Sequence, residues 1–228
     1  LGILHKGDTQ PVEIEITRSE IIIPSMTVTY VGDNKDIALF KINRFTDSSY
    51  SEWQKNWDTS VNEIVASGAK KMILDLRGNP GGYFDAAIYA ADEFIDSGKI
   101  LAKEQDSAGK IQEFKSSKGG KFVNMEVIVL VDSGSASASE ILSGALQQSS
   151  SVTILGEKTY GKGTAQSVVD LSDGSTLHIT ILKWLLPDGR WLNKDNPIVP
   201  NIEVKNTNEA FESGVDTQLQ SAIAEIQK

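Results

Sequence analysis

A turn of small residues between an apolar run and an amphipathic stretch limits most strongly what this chain can fold into. Residues 127–131 read VIVLV, which is the pattern of a β-strand buried on both faces. Residues 132–134 interrupt that run, and residues 137–147 then carry apolar side chains at helical spacing. An α/β protein can present a nucleophile on such a strand-to-helix turn, where the N–H groups of the helix start can also bind an anion.

Each polar residue of this region, taken alone, has an ordinary structural explanation. Ser137 and Glu140 form a capping-box pattern, in which a serine at the helix start is followed by a glutamate at the third helical position. Lys162 lies between two glycines, as lysines in solvated turns commonly do, and Gln166 follows shortly after it. Only the combination of these residues points to chemistry.

That combination resembles the core of the carboxyl-terminal processing proteases, also called tail-specific proteases, which are serine endopeptidases with a Ser–Lys dyad. The family pattern GSASASE is present at residues 134–140, and TYGKGxxQ at residues 159–166. The serine and the lysine also stand at the family spacing. The resemblance implies that Ser137 is the nucleophile, that Lys162 is its general base, and that Gln166 orients the lysine.

The chemistry of such a dyad sets a requirement on the surroundings of Lys162. A serine hydroxyl becomes a good nucleophile only when a base takes its proton, and a lysine can be that base only in its neutral form. Burial away from water disfavours an ammonium group. The apolar residues within 152–155, and the lack of acidic residues among the nearest sequence neighbours, predict such a setting. Gln166 is neutral and can hold the amine without stabilising its charge.

A second motif predicts the oxyanion hole. Residues 71–76, KMILDL, read as a buried strand, and residues 77–82, RGNPGG, follow them in a match to the family pattern LDLRxNxGG. Glycines and a proline predict a tight turn whose bare backbone can approach another group closely. The resemblance implies that the Ala138 amide pairs with the amide of either Gly81 or Gly82, with Gly81 slightly favoured. A plain turn before a helix at residues 86–94 is the alternative.

Strands that alternate with helices predict an α/β domain with a mixed sheet over residues 20–228, as in the protease core of the ClpP/crotonase-like type that the family has. An Asp-Gly pair at 173–174 predicts a β-hairpin between residues 167 and 182. Residues 12–17, VEIEIT, predict a half-buried strand. They resemble the last strand of the PDZ domain that the family inserts before its core. Residues 1–19 are therefore either a remnant of a largely absent PDZ domain or an edge strand of the core.

Composition excludes several classes of protein. A net charge of −9 argues against nucleic acid as a partner. No cysteine occurs, so disulfides, thiolate nucleophiles and cysteine-type zinc sites are excluded, and the two histidines have no neighbours at metal-ligand spacing. No cofactor and no metal are predicted. The sequence shows no run long enough to span a membrane and no signal peptide, and the missing targeting segment leaves the compartment open.

The leading functional hypothesis is an endopeptidase that cuts proteins near non-polar C-terminal tails in an extracytoplasmic compartment, because the family resemblance implies it. A homo-oligomer is left open. Two alternatives use the same fold: a non-catalytic module whose cleft holds an apolar ligand, and a crotonase-like acyl-transfer enzyme, which would not require Lys162. The discriminating observation is whether the Lys162 amine lies within hydrogen-bonding reach of the Ser137 hydroxyl.

Overall fold

The computed structural model describes residues 1–19, 23–117, 119–150, 152–207, 210 and 212–228, and their strands form three sheets. The strands are β1 (Gly2–Ile3), β2 (Val12–Glu13), β3 (Met26–Val31), β4 (Ile37–Ile42), β5 (Lys71–Asp75), β6 (Ile100–Asp106), β7 (Ile111–Lys115), β8 (Glu126–Val131), β9 (Thr153–Gly156), β10 (Thr164–Asp170), β11 (Thr176–Leu185) and β12 (Ile202–Glu203). The helices include α1 (Tyr50–Ser67), α2 (Phe84–Ala91), α3 (Ala138–Ser149) and α4 (Thr217–Ile226).

The largest sheet has six strands in the order β12-β9-β8-β5-β4-β3. Neighbours from β12 to β4 pair in parallel, and β3 pairs with β4 antiparallel. The chain is therefore an α/β protein with a mixed sheet, as the sequence predicts. Strands β5 and β8 lie at its centre, and the side chains of Ile73, Leu74, Val129 and Leu130 are fully buried, which confirms that these strands are covered on both faces.

Alternate residues of the central strands face two different hydrophobic clusters, as the period of a β-strand requires. On one face, residues such as Leu74 and Val129 pack with the apolar sides of α1, α2 and α3. On the other face, residues such as Ile73 and Leu130 pack with Ala222 of α4. Helices α1, α2 and α3 therefore cover one face of the sheet, and α4 covers the other.

Local sequence signals determine where helix α1 begins and ends. The Ser49 side chain accepts a hydrogen bond from the Glu52 amide and so caps the first turn, while Gly68 ends the helix in a left-handed conformation. Trp53 and Trp57 are fully buried and stack with ring centroids 5.5 Å apart. The two tryptophans therefore belong to the core.

The loops after β5 and β8 meet at the carboxyl edge of the sheet. The Asn79 carbonyl accepts hydrogen bonds from the Ala136 amide at 3.0 Å and from the Ser139 hydroxyl at 2.8 Å. The Ser135 hydroxyl donates to the Leu76 carbonyl at 2.9 Å. The loop at residues 76–82 is therefore fastened directly to the turn that precedes α3, and both predicted functional motifs share one edge of the sheet.

A four-stranded antiparallel sheet, with the order β10-β11-β6-β7, stands beside this edge. The predicted hairpin around residues 173–174 is present as β10 and β11. Strand β11 pairs with β6 only from Leu182 to Leu185, so the rest of the hairpin extends beyond the sheet as a two-stranded arm.

Residues 1–19 form a separate small unit. Strands β1 and β2 pair only with each other among the described residues. The half-buried strand predicted at residues 12–17 is wrong: it shrinks to Val12 and Glu13, and Val12, Ile14 and Ile16 are 53%, 40% and 60% exposed. No described element covers their apolar side chains. The boundary expected between residues 19 and 20 adjoins residues 20–22, which lie outside the described part.

None of the helices in the described residues combines the length and the apolar character needed to cross a lipid bilayer.

Candidate active site

Ser137 occupies a strained position at the start of α3. Its backbone angles are φ 56° and ψ −116°, which are those of the first central residue of a type II′ turn, where glycine is normally found. Such a conformation in a residue with a side chain costs on the order of 1–3 kcal/mol and persists only where the surroundings impose it. The Ser137 amide donates to Glu140 at 2.9 Å, and the preceding Ala136 amide is held by Asn79. The turn thereby directs the serine away from the helix axis and into a cleft.

Lys162 is carried by a loop that packs tightly against the chain around Asn193. A Cβ atom on Gly161 would collide with the Asn193 carbonyl, and one on Gly163 would collide with the Leu192 carbonyl. The two glycines are therefore needed for close backbone approach. This packing distinguishes the loop from an ordinary solvated turn.

The structure brings the three predicted catalytic residues, Ser137, Lys162 and Gln166, to one cleft of about 380 Å³. Gly82 also lines it. The remaining walls are mostly apolar, with His178 and Thr164 as polar exceptions, and comprise Phe84, Ile141, Ala165, Val168 and Trp184. The Phe84 and Trp184 rings stack at a centroid distance of 4.0 Å.

The three predicted catalytic side chains are not hydrogen-bonded to one another in the described part of the chain. Among the described residues, no hydrogen bond joins the Lys162 amine to the Ser137 hydroxyl or to the Gln166 side chain. Lys162 and Gln166 are exposed, so the expectation of a buried lysine is wrong. The apolar residues upstream explain the error, because Ile154 and Leu155 are buried within the sheet and do not cover the lysine. In unliganded enzymes, catalytic hydrogen bonds are often long and tighten when substrate binds.

The amides near Ser137 separate the two candidate oxyanion glycines. The Gly81 amide donates to the Asn79 side-chain oxygen at 2.8 Å and is therefore engaged. Within the described part of the chain, the amides of Gly82 and Ala138 donate to no other residue. A Cβ atom on Gly81 would lie 2.8 Å from the Ser137 Cβ, which shows how closely this loop packs on Ser137. Gly82 thus fits an oxyanion-binding role better than Gly81 does.

Glu140 makes contacts that sequence reasoning missed. Its side chain is fully buried, and its carboxylate accepts hydrogen bonds from the Ser137 and Lys162 amides, the Gly161 amide and the Thr159 hydroxyl. The capping-box pattern predicts only the first of these bonds. The other three connect α3 to the lysine loop, which is distant in sequence, so no local pattern could reveal them.

Arg77 anchors the glycine-bearing loop to α4. Its guanidinium is bidentate to both Asp75 and Asp216, with N–O distances of 2.8–2.9 Å. Burial by itself would lower the pKa of Arg77, but the hydrogen bonds to the two carboxylates raise it above its ordinary value. Burial opposes ionisation of Asp216, yet the hydrogen bond from Arg77 and the one from the Leu219 amide bring its pKa below the usual range.

Comparison with known proteins identifies the family of this chain. The sequence matches the family model described as Peptidase family S41 over residues 36–204. It is 36% identical over 202 residues to the carboxy-terminal processing protease CtpA of Bacillus subtilis (strain 168), covering 89% of this chain and 42% of that protein. The chain thus spans less than half the length of this relative.

A solved structure shows the same likeness in three dimensions. The photosystem II D1 C-terminal processing protease superposes with a TM-score of 0.71 at 28% identity, over 86% of this chain and 52% of that one. The family match covers the loop of Arg77, the turn of Ser137 and the loop of Lys162 together. The chain therefore belongs to peptidase family S41.

Proposed function

We propose that this chain is the catalytic core of a serine endopeptidase that cuts protein substrates near their C-termini. Ser137 is the nucleophile, Lys162 the general base, and Gln166 the side chain that orients the lysine. The observation that carries the proposal is the strained Ser137 at the start of α3, which faces a cleft also lined by Lys162 and Gln166, in a chain of a peptidase family.

In this mechanism Lys162 takes the proton of the Ser137 hydroxyl as the oxygen attacks the substrate carbonyl, and it returns that proton to the leaving amine. The Gln166 amide oxygen accepts a hydrogen bond from the lysine and adds no charge. A peptide lying in the cleft covers the exposed Lys162 side chain, excludes water and favours the neutral amine. Substrate binding then completes the dyad, which accounts for its open geometry here.

The oxyanion of the tetrahedral intermediate is assigned to the amides of Ala138 and Gly82. Both amides are free of other described acceptors; Ala138 follows Ser137 at the start of α3, and Gly82 belongs to the loop whose Gly81 packs on Ser137. The N-terminus of α3 adds a positive potential at the same place. Donors fixed in this way stabilise charge that develops only in the transition state.

The cleft walls support a preference for non-polar residues near the cut. Phe84 and Trp184 form a stacked pair beside Ser137, and Ile141 and Val168 complete an apolar lining. Burying an apolar side chain of the substrate there contributes roughly 25 cal/mol per Å². This gain favours substrates that place an apolar side chain, and not a charged one, against the apolar lining of the cleft.

The same features oppose the two alternatives. A binding module without catalysis would need neither the strain at Ser137 nor the packed glycine loop that carries Lys162. A crotonase-like acyl transferase would use the two amides but leaves Lys162 and Gln166 without a role.

Residues 1–19 are assigned in this proposal to a PDZ-type domain. Their separate two-stranded sheet and the exposed apolar side chains of Val12 and Ile16 support a surface made to pack against further structure. The extracytoplasmic location rests on the family resemblance alone.

Digestion of β-casein, an unfolded protein, tests the proposed activity. The intact chain is expected to release fragments, and Ser137→Ala is expected to release none above background. Ser133→Ala is the matched control, because Ser133 lies in the same turn, is exposed and carries no described side-chain hydrogen bond. Mass spectrometry of the fragments locates the cuts. Undiminished cleavage by the Ser137→Ala variant would overturn the assignment of the nucleophile.

A further inference from the structure

Glu140 joins the two halves of the proposed dyad through one buried carboxylate. The same oxygen, Oε2, accepts the Ser137 amide at 2.9 Å and the Lys162 amide at 2.8 Å. The second oxygen, Oε1, accepts the Gly161 amide at 2.7 Å and the Thr159 hydroxyl. Four donors on two separate segments therefore converge on a single side chain that is fully buried.

We propose that Glu140 is a positioning residue that sets the separation and orientation of Ser137 and Lys162. The inference rests on the proposed function of these two residues. Because one oxygen atom holds both amides, the backbone of the nucleophile and that of the base cannot move apart without breaking a buried hydrogen bond. An unpaired buried donor is unfavourable, so the bridge is stiff.

The contacts go beyond what helix capping requires. In a capping box the glutamate side chain accepts only the amide of the N-cap residue, here Ser137. The lysine loop supplies three further donors at residues 159, 161 and 162, and Thr159 also accepts the Ile198 amide at 2.9 Å. Glu140 thus fixes the loop that carries Lys162 to the helix that begins at Ser137.

The carboxylate acts on the backbone of Lys162 and not on its amine. Within the described residues, Glu140 forms no ion pair with the Lys162 side chain. Its negative charge lies at the N-terminus of α3, where the helix dipole stabilises it. The amine is left free to approach Ser137 without an acidic partner that would hold it protonated.

Steady-state kinetics of Glu140→Gln tests this role. The amide keeps the size of the side chain but replaces one acceptor oxygen with an NH2 donor, so either the Gly161 amide or the amides of Ser137 and Lys162 lose their acceptor. We expect kcat to fall about 100-fold, the loss associated with a misplacement of roughly 1 Å between reacting groups, while KM changes less than about threefold. Thr159→Val, which removes one donor, is expected to lower kcat by a smaller factor.

Glu93→Gln is the control for a buried glutamate outside the cleft. Glu93 is also nearly fully buried, and its carboxylate accepts the Lys121 amide at 2.9 Å. This variant is expected to lower the thermal midpoint and to leave kcat unchanged. An equal loss of kcat in the Glu93 and Glu140 variants would reduce Glu140 to a structural residue and refute the inference, as would a Glu140→Gln variant with wild-type kcat.

Amide hydrogen exchange separates a failure of this inference from a failure of the proposed function. In a Ser137→Ala background, Glu140→Gln is expected to speed exchange at Gly161 and Lys162 by more than about tenfold. Unchanged exchange overturns the bridge, whether or not the chain is a peptidase. If Glu140→Gln does not fold, the same measurement on Thr159→Val decides, with faster exchange at Gly161 supporting the bridge and unchanged exchange overturning it.

Discussion

Replacing Asp216 by alanine should destabilise the chain through the anchor between the loop of Arg77 and α4. The substitution removes two bonds to the Arg77 guanidinium and the N-cap bond to the Leu219 amide. The lost cap costs about 1 kcal/mol. Charge-assisted bonds to a buried arginine would cost more, but the Asp216 side chain is 39% exposed, and solvent screening reduces their share to about 1 kcal/mol.

The expected loss of about 2 kcal/mol corresponds to a thermal midpoint lowered by roughly 4–8 °C for a chain of this size. The pH dependence follows from the depressed pKa of Asp216 in the folded chain. Its contribution is fully present above the unfolded pKa of about 3.9 and is lost as the pH falls through the lower folded value. The difference between wild type and variant should therefore shrink well below pH 4.

Thermal unfolding followed by circular dichroism at pH 7 and at pH 3 measures both effects. Asp33→Ala is the control, because Asp33 is exposed in the turn between β3 and β4 and makes no described side-chain contact. It should shift the midpoint by less than about 1 °C. An Asp216→Ala variant that unfolds with the wild type at pH 7, or a difference that persists unchanged at pH 3, would refute the reasoning.

Three further predictions concern catalysis. Lys162→Arg should abolish cleavage of a fluorogenic peptide as fully as Lys162→Ala, because a guanidinium cannot give up its proton at working pH; an active arginine variant would contradict a lysine base. Gly82→Ala should lower kcat about 100-fold, because its Cβ atom would collide with the Phe45 carbonyl and displace an oxyanion donor, and an unaffected kcat would rule Gly82 out. Residues 1–228 should cut peptides with free and amidated C-termini at similar rates, because β1 and β2 alone do not supply the sheet edge with which a PDZ domain binds a free carboxylate; a strong preference for the free form would contradict this expectation.

Several elements of the fold were predictable because their signals are local. Strands β5 and β8 form where the apolar runs at residues 71–76 and 127–131 predict buried strands. Helix α1 begins after a serine cap and ends at Gly68. Strand β6, in contrast, carries the polar residues KEQD in its second half. It is a strand because β7 and β11 pair with it, and such pairing leaves no trace in the local sequence.

The candidate site likewise has some features that local sequence predicts and others that only tertiary packing determines. Motif spacing was enough to place Ser137, Lys162 and Gln166 in one cleft. Exposure of Lys162 depends on which elements cover its loop, so the apolar residues that precede it in sequence were misleading. The role of Glu140 depends on a loop that returns to α3 from about twenty residues away. Contacts of this kind follow from tertiary packing, which a single sequence does not show.

The backbone conformation of Ser137 favours glycine, whereas the proposed chemistry requires a hydroxyl group at this position. Glycine would adopt φ 56° and ψ −116° without strain, so a chain optimised only to fold would have no reason to keep a hydroxyl-bearing residue there. Under the proposed role of Ser137 as the nucleophile, stability and activity make opposite demands on this one position. A Ser137→Gly variant should therefore have a higher free energy of unfolding than the wild type and a lower rate of cleavage. Selection for folding stability alone would not remove such a mutation.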